Sequence, residues 1–439
     1  MHLSEIETLP HPDLKKLQGE RLVGLIERLR SSDVGYWKQK LDGAGPVTSI
    51  EDLPSLAFTS KPEFRDHYPT GMLAVPLRDV VRFHASSGTS GKPTVVAYTP
   101  TDVATFAEVN ARCLAAVGGT PDDVVHVAYG YGLFTGGLGL HYGAEALGAV
   151  TVPASGGAAA FQVGLLADLG ATGLAATPSF ALRLAEQAAA DGRLGDIRLR
   201  WGIHGAEPWS EGLRQKIQDA WGGEYNAYDL YGLSEVIGPG VAAECHQNKG
   251  GMHILEDHFY PEIVDPDNGE PLPDGELGEL VITTLTREAQ PVIRFRTRDI
   301  TRILGAGCEC GRTSRRIDRL QGRADDMLII RGINVYPRGI ETILMDDPRT
   351  SGQFAIIVDR RETMVELEAR VELVDSALAP RRSEIIKGLE KRLADTLRVR
   401  VTVILGDPGS IPRQNTGKAQ RVFERVDDTD PLAFLAGIG

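Results

Sequence analysis

Cysteine is scarce. Four in 439 residues, with two of them at Cys308 and Cys310, are too few and too clustered for the disulfide framework of a small secreted scaffold. Metal ligation or plain thiols are the readings left. No run of about 18 apolar residues is present to span a bilayer, and the opening MHLSEIETLPHPDLKK lacks the basic and apolar segments of a signal peptide. No membrane partner and a cytoplasmic location are therefore expected. A basic excess is missing too: 47 Lys and Arg stand against 60 Asp and Glu, a formal charge of −13, and the basic residues are dispersed. That balance disfavours nucleic acid as a partner. What is present, 42% apolar and 24% charged residues with 50 glycines and 25 prolines, is globular usage. The length suits two or three domains.

Apolar positions at helical spacing over residues 12 to 30 predict an entry helix, and EDLPSLAFTSKPEFRDHYP reads as short turns broken by proline. From about residue 104, helical stretches such as FAEVNARCLAAV alternate with short apolar runs such as VVHVAYG and RWGIHGAE. That alternation predicts βα units and a largely parallel sheet. Near residue 254 the character changes: EIVDPDNGEPLPDGELGELVITTLT carries two turn signals between short strands, an antiparallel β patch. Beyond Gly322, about a hundred residues read as a compact α+β unit. The expected class is α/β, with a large N-terminal domain over residues 1–322 and a small C-terminal domain over 323–439.

The segment Ser86, Ser87, Gly88, Thr89, Ser90, Gly91, Lys92 concentrates hydroxyls, glycines and one cation. Such a loop lets backbone N–H groups approach an anion while lysine neutralises it, so a phosphate site is the natural reading. It is not a P-loop, because two residues rather than four separate the glycines and Pro93 follows the lysine.

The whole run FHASSGTSGKPTVVAYT resembles the phosphate loop of the acyl-adenylate-forming superfamily, specifically its phenylacetate-CoA ligase branch. Further segments match that family in order. YDLYGLSE resembles the stretch whose aromatic flanks adenine, Tyr231, and whose glutamate, Glu235, reaches Mg2+, with Ser234 beside the phosphates. Gly205, Ala206, Glu207 and Pro208 resemble the turn lining the adenine and acyl pocket. Asp299 matches the acceptor of the ribose hydroxyls, Arg323 a residue over ribose and phosphates, and Asp325 the hinge of a mobile small domain. Lys418 resembles the lysine that bridges the substrate carboxylate and the α-phosphate. Arg331 to Asn334 would face the thioester site after the small domain swings.

The resemblance implies activation of an aromatic carboxylic acid with ATP and Mg2+ to an acyl-AMP, then thioester formation with CoA, releasing AMP and pyrophosphate. The alternative acceptor is the phosphopantetheine of a carrier protein, loaded by a stand-alone adenylating enzyme. A non-catalytic nucleotide-binding regulator is the reading from another class. A homodimer is a further expectation from the family. The acyl pocket would hold Tyr131, Phe134, Gly136, His204 and Gly232. Two departures mark this chain: His204 where the family usually has Phe before GAEPW, and Ala158-Ala159-Ala160-Phe161 where it continues with a polar segment. His204 either hydrogen-bonds a ring hydroxyl or amino group, as on a substituted benzoate, or is a satisfied structural histidine. Cys245, His253, Cys308 and Cys310 would complete a tetrahedral, structural Zn2+ site of the kind some relatives carry, although the spacing is no zinc-finger pattern. Cys113 reads as a buried apolar thiol.

Overall fold

A computed structural model of the chain describes residues 4–86, 93–207, 209–222, 224–330, 333–361, 365–413 and 420–433. The entry helix α1 (His11–Arg30) starts after Pro10 and carries Arg28 and Arg30 in its last turn, where cations suit the dipole. Two short helices follow, α2 (Gly35–Lys40) and α3 (Lys61–Asp66). The second arises where a turn was expected, because Ser60 and Glu63 form a reciprocal capping box around Lys61. Strands β1 (Arg82–Ser86) and β2 (Thr94–Tyr98) then form an antiparallel hairpin around the glycine-rich segment.

Helix and strand now alternate: α4 (Pro100–Ala116), β3 (Val124–Val127), α5 (Thr135–Leu147), β4 (Val150–Val152), α6 (Ala159–Asp168), β5 (Gly173–Ala176), α7 (Pro178–Ala190), β6 (Trp201–Gly205), α8 (Glu211–Trp221) and β7 (Asn226–Leu233). The helix starts are written locally, by Thr99 with Asp102, by Thr177 before Pro178, and by Ser210. β8 (Gly238–Cys245) and β9 (Asn248–Ile254) turn back on β7. β10 (Phe259–Val264), β11 (Gly278–Thr284) and β12 (Phe295–Thr301) follow, then β13 (Ile303–Leu304), β14 (Arg316–Ile317) and β15 (Gly322–Arg323).

The central sheet has nine strands in the order β4-β3-β5-β6-β7-β8-β9-β14-β13. Its first five are parallel and the rest antiparallel. The parallel part matches the expected βα units, and every residue of β5 and β6 is buried, as for strands covered on both faces. Antiparallel pairing begins earlier than expected, at β8, because the turns after Leu233 and Cys245 leave room only for hairpins. The β patch is a second sheet, β10-β11-β12-β15. In it Arg323 pairs with Asp299, so the chain leaves the larger part only after that residue.

The smaller part holds β16 (Leu328–Ile330), β17 (Ile333–Val335), α9 (Pro337–Met345), β18 (Thr350–Asp359), β19 (Glu366–Leu373), α10 (Arg382–Leu397), β20 (Val401–Gly406) and β21 (Val422–Arg425). Its main sheet runs β20-β19-β18-β21. It packs on α7 and α8 so closely that a Cβ on Gly352 would lie 2.2 Å from Leu182 Cδ2. Polar links cross the same contact: Lys216 Nζ donates to the carbonyls of Asp347 (3.2 Å) and Thr350 (2.6 Å), and Arg338 to that of Trp209 (3.2 Å). No helix among the described residues is long and apolar enough to cross a membrane.

Candidate active site

The expected nucleotide residues converge at the carboxyl ends of β6 and β7, where open parallel sheets bind ligands. Tyr231 at the end of β7 donates its hydroxyl to Asp299 Oδ2 at 2.6 Å, joining the central sheet to β12 of the second sheet. Burial pushes the Tyr231 phenol well above its ordinary value, and the neighbouring Asp299 adds to this, so the hydroxyl keeps its proton. Arg323 donates to Asp299 Oδ1 at 3.2 Å and grips Asp325 with Nε (2.9 Å) and Nη2 (3.0 Å). Four residues read from three separate segments thus form one hydrogen-bonded chain.

The backbone is drawn tight around them. A Cβ on Gly205 would lie 2.2 Å from the Leu230 carbonyl, and one on Gly232 2.0 Å from that of Gly238, so only glycine fits either strand end. Ala206 (φ 69°), next to Gly205, and Arg298 (φ 67°), next to Asp299, both take the left-handed conformation. Ala206 is exposed, while Glu207 accepts from Ser179 Oγ at 2.7 Å and the Ser179 N–H at 3.3 Å.

Ser86 ends β1 with its hydroxyl buried, opposite Thr94 across the hairpin. Ser87, Gly88, Thr89, Ser90, Gly91 and Lys92 lie outside the described residues, as do Pro208, Arg331, Gly332 and Lys418. Ser234 lies 3.3 Å from Thr135 Oγ1 at the start of α5. The Glu235 side chain is only 6% exposed, and Lys61 Nζ stands 3.0 Å from its Oε1. Neither Lys61 nor Thr135 was read from the sequence. The Ser-Lys-Pro-Glu capping signal could have placed Lys61 on a helix start, but nothing local points it at Glu235. Packing does that: Thr59 donates to the Ile293 carbonyl (3.1 Å) and accepts from the Arg296 N–H (2.9 Å), and Phe64 meets Phe295 edge to face at 5.9 Å.

The candidate acyl residues divide. Tyr131 is half-buried, and Phe134, 41% exposed, stands at the start of α5 with its ring where a Cβ on Gly136 would fall. His204 differs. It is fully buried, with Nδ1 2.9 Å from the Ala176 carbonyl and Nε2 2.8 Å from Tyr225 Oη, and its ring stands edge-on to Trp209. Both ring nitrogens are taken inside the protein, the arrangement of a satisfied structural histidine with no nitrogen left for a ring substituent. Burial pushes its pKa down to about 4 from 6.5, so the folded state keeps it neutral. Its contribution is complete above about pH 6.5 and is lost as the pH falls toward 4, on the order of 3 kcal/mol. His204→Phe is expected to flatten the pH dependence of the unfolding midpoint across that interval and to leave acid preference unchanged; a shifted acid panel would return the residue to the pocket.

Cys245, His253, Cys308 and Cys310 do assemble, their ligand atoms all within 4.8 Å of one another. Cys245 Sγ and Cys308 Sγ are 3.7 Å apart, and Cys310 Sγ and His253 Nε2 3.5 Å. Ligands of a tetrahedral zinc ion stand about 3.8 Å (S to S) and about 3.6 Å (S to N) apart, given metal bonds of about 2.3 and 2.0–2.1 Å. The donor set and spacing therefore fit Zn2+. Ser314 Oγ, 3.4 Å from His253 Nδ1, is placed to orient the imidazole. Cys113 is a buried free thiol in α4, as expected.

Comparison with known proteins adds the following. The AMP-binding enzyme family matches residues 37–286, and the AMP-binding enzyme C-terminal domain matches 332–425. Phenylacetate-coenzyme A ligase of Thermus thermophilus is 45% identical over 97% of this chain and 99% of its own length. That of Escherichia coli is 46% identical over 96% and 97%. Among solved structures, 2-hydroxyisobutyryl-CoA ligase in its postadenylation state with 2-HIB-AMP superposes with a TM-score of 0.89 at 29% identity, over 96% of this chain and 91% of that one. The same ligase with 2-HIB-AMP and CoA in the thioesterification state gives 0.70 at 30% identity over the same shares.

Proposed function

The chain belongs to the phenylacetate-CoA ligase family of AMP-binding enzymes, and on that premise we propose that it joins an aromatic carboxylic acid to CoA through an acyl-adenylate, releasing pyrophosphate and AMP. The observation that carries this reading is the Tyr231–Asp299–Arg323 chain at the ends of β7 and β12. Adenine lies against Gly205 to Glu207 and the Tyr231 ring. The ribose hydroxyls donate to Asp299, an acceptor already aimed by two donors, and Arg323 covers ribose and phosphate. The triphosphate runs along the loop of residues 86 to 92, past Ser234 and Thr135, toward Lys61.

The acid's carboxylate oxygen forms a bond to the α-phosphorus as the bond to the bridging oxygen of pyrophosphate breaks. This chain supplies alignment and positive charge rather than covalent chemistry. Lys418 neutralises two anions that must meet, and Lys61 is placed to exchange its partner Glu235 for departing phosphate. Glu235, a buried carboxylate compensated by one cation, is a hard donor suited to Mg2+, which when bound supplies further charge neutralisation on the phosphates. In the second half-reaction the CoA thiolate attacks the acyl carbon and AMP leaves. The better superposition on a postadenylation structure than on a thioesterification structure supports a swing of the small part about Asp325 between the two halves.

Pyrophosphate release with a panel of aromatic acids, followed by detection of acyl-CoA, tests the reading: release that depends on the acid is expected, and none with any acid overturns it. We also place a structural zinc ion on Cys245, His253, Cys308 and Cys310, where four protein ligands leave no position for water. One zinc per chain is expected by elemental analysis, with a lowered thermal midpoint after chelation and loss of the metal in Cys308→Ala. Metal-free protein with an unchanged midpoint would sink the assignment.

A further inference from the structure

Tyr131, on the loop that leads into α5, is fixed at both ends. Its N–H donates to Ser155 Oγ at 3.3 Å, and its hydroxyl oxygen lies 3.2 Å from His141 Nδ1 on α5, with the two rings perpendicular and their centroids 5.8 Å apart. One turn further along the helix, Glu145 Oε1 stands 3.1 Å from His141 Nε2. For a neutral His141, this pair of contacts determines where the protons sit. A carboxylate can only accept, so the proton of the neutral imidazole must be on Nε2. That leaves Nδ1 as an acceptor, and Tyr131 must donate its one proton to it. Burial raises the Tyr131 phenol above its ordinary value, so it stays protonated and available for that bond. The remaining lone pairs of the Tyr131 oxygen can then only accept.

We propose that the Tyr131–His141–Glu145 chain makes the acyl pocket selective for aromatic acids that carry a hydrogen-bond donor on the ring, a hydroxyl or an amino group, with Tyr131 as the acceptor and His141 as its positioning residue. The inference rests on the placement of Tyr131 in the acyl pocket proposed above. It assigns to Tyr131 the polar discrimination for which His204 has no free nitrogen. A ring bearing only acceptors, such as a methoxy or nitro group, would set its lone pairs against those of the phenol oxygen. A donor facing an ordered acceptor gains one hydrogen bond, and a mismatched group leaves a buried acceptor unmade.

The test is the ratio of kcat/KM between hydroxy- or amino-substituted acids and their methoxy or nitro counterparts, measured at each ring position for phenylacetates and benzoates with the intact enzyme. The donor-bearing acid is expected to lead by about tenfold at one ring position. Tyr131→Phe, which keeps the ring, is expected to abolish that lead. His141→Phe frees the Tyr131 proton, so acceptor-bearing acids should gain relative to donor-bearing ones, a reversal that loss of structural support alone would not produce; His141→Asn offers a second variant. Ratios that stay the same in Tyr131→Phe and His141→Phe, with acid-dependent pyrophosphate release intact, overturn this inference alone. Absence of release with every aromatic acid overturns it together with the proposed function.

Discussion

Lys418→Ala is expected to lower the rate of acyl-adenylate formation by a factor on the order of 10³, with ATP affinity changed only a few-fold, because the lysine meets its two anions fully only as they are forced together. Residues on either side of the segment that carries it are anchored. Arg413 pairs bidentately with Glu372 (2.8 and 3.0 Å) and reaches Glu186 of α7 at 3.5 Å, while Arg421 donates to the Phe354 carbonyl at 3.1 Å before β21 begins. Both flanks of Lys418 are thus tied to the small sheet, and Arg413 also reaches the large part. Acid-dependent pyrophosphate exchange measures the loss, and binding of a non-hydrolysable ATP analogue measures affinity. Equal losses in both would make Lys418 a binding or structural residue. Thioester formation from a preformed acyl-adenylate should be spared under the proposed swing of the small part, which takes the lysine away before the second half-reaction.

Glu244→Ala is expected to destabilise the chain by about 3–5 kcal/mol, read as a drop in the denaturant midpoint. Glu244 and Arg214 are both fully buried and joined by two bonds of 2.8 and 2.7 Å. Glu244 also accepts the Asp229 N–H at 2.7 Å, and Arg214 donates to the Ala227 carbonyl at 2.9 Å. These contacts seat α8 on β7 and β8. Removing the carboxylate leaves the buried guanidinium, among the described residues, with only the exposed Glu211 as an ion-pair partner, 3.2 Å from its Nε, and an N–H unmade. The double replacement Arg214→Met with Glu244→Leu should cost less than Glu244→Ala alone, because no buried charge is stranded. A single-mutant cost below about 1 kcal/mol would mean that water reaches Arg214.

Most of the architecture was legible because it is written locally. Capping residues such as Thr99 and Ser210, the parallel strands' apolar runs and the Asp-Asn-Gly and Pro-Asp-Gly turns each act within a few residues of themselves. The candidate nucleotide residues were picked out for another reason: Tyr231, Asp299 and Arg323 sit in segments that resemble a known family, and the structure joins their side chains. What escaped was set by tertiary packing. Lys61 meets Glu235 only because Thr59 pairs beside β12, and the two readings of His204 could not be separated until Tyr225 and Ala176 were folded against it. The His141–Glu145 spacing is visible as one helical turn, yet the Tyr131 hydroxyl arrives from a loop whose path the spacing does not specify.

The Tyr231–Asp299–Arg323 chain belongs to two sheets at once, since β7 lies in the nine-stranded sheet and β12 and β15 lie in the four-stranded one. A nucleotide seated there, as proposed, would touch both, and neither sheet alone carries all three residues. Such a ligand favours the fully assembled state and nothing looser, adding about 2.7 kcal/mol of stability at a hundred times its dissociation constant. On the proposed function, a saturating supply of ATP is therefore expected to hold the two sheets together and to slow proteolysis at the seam between them.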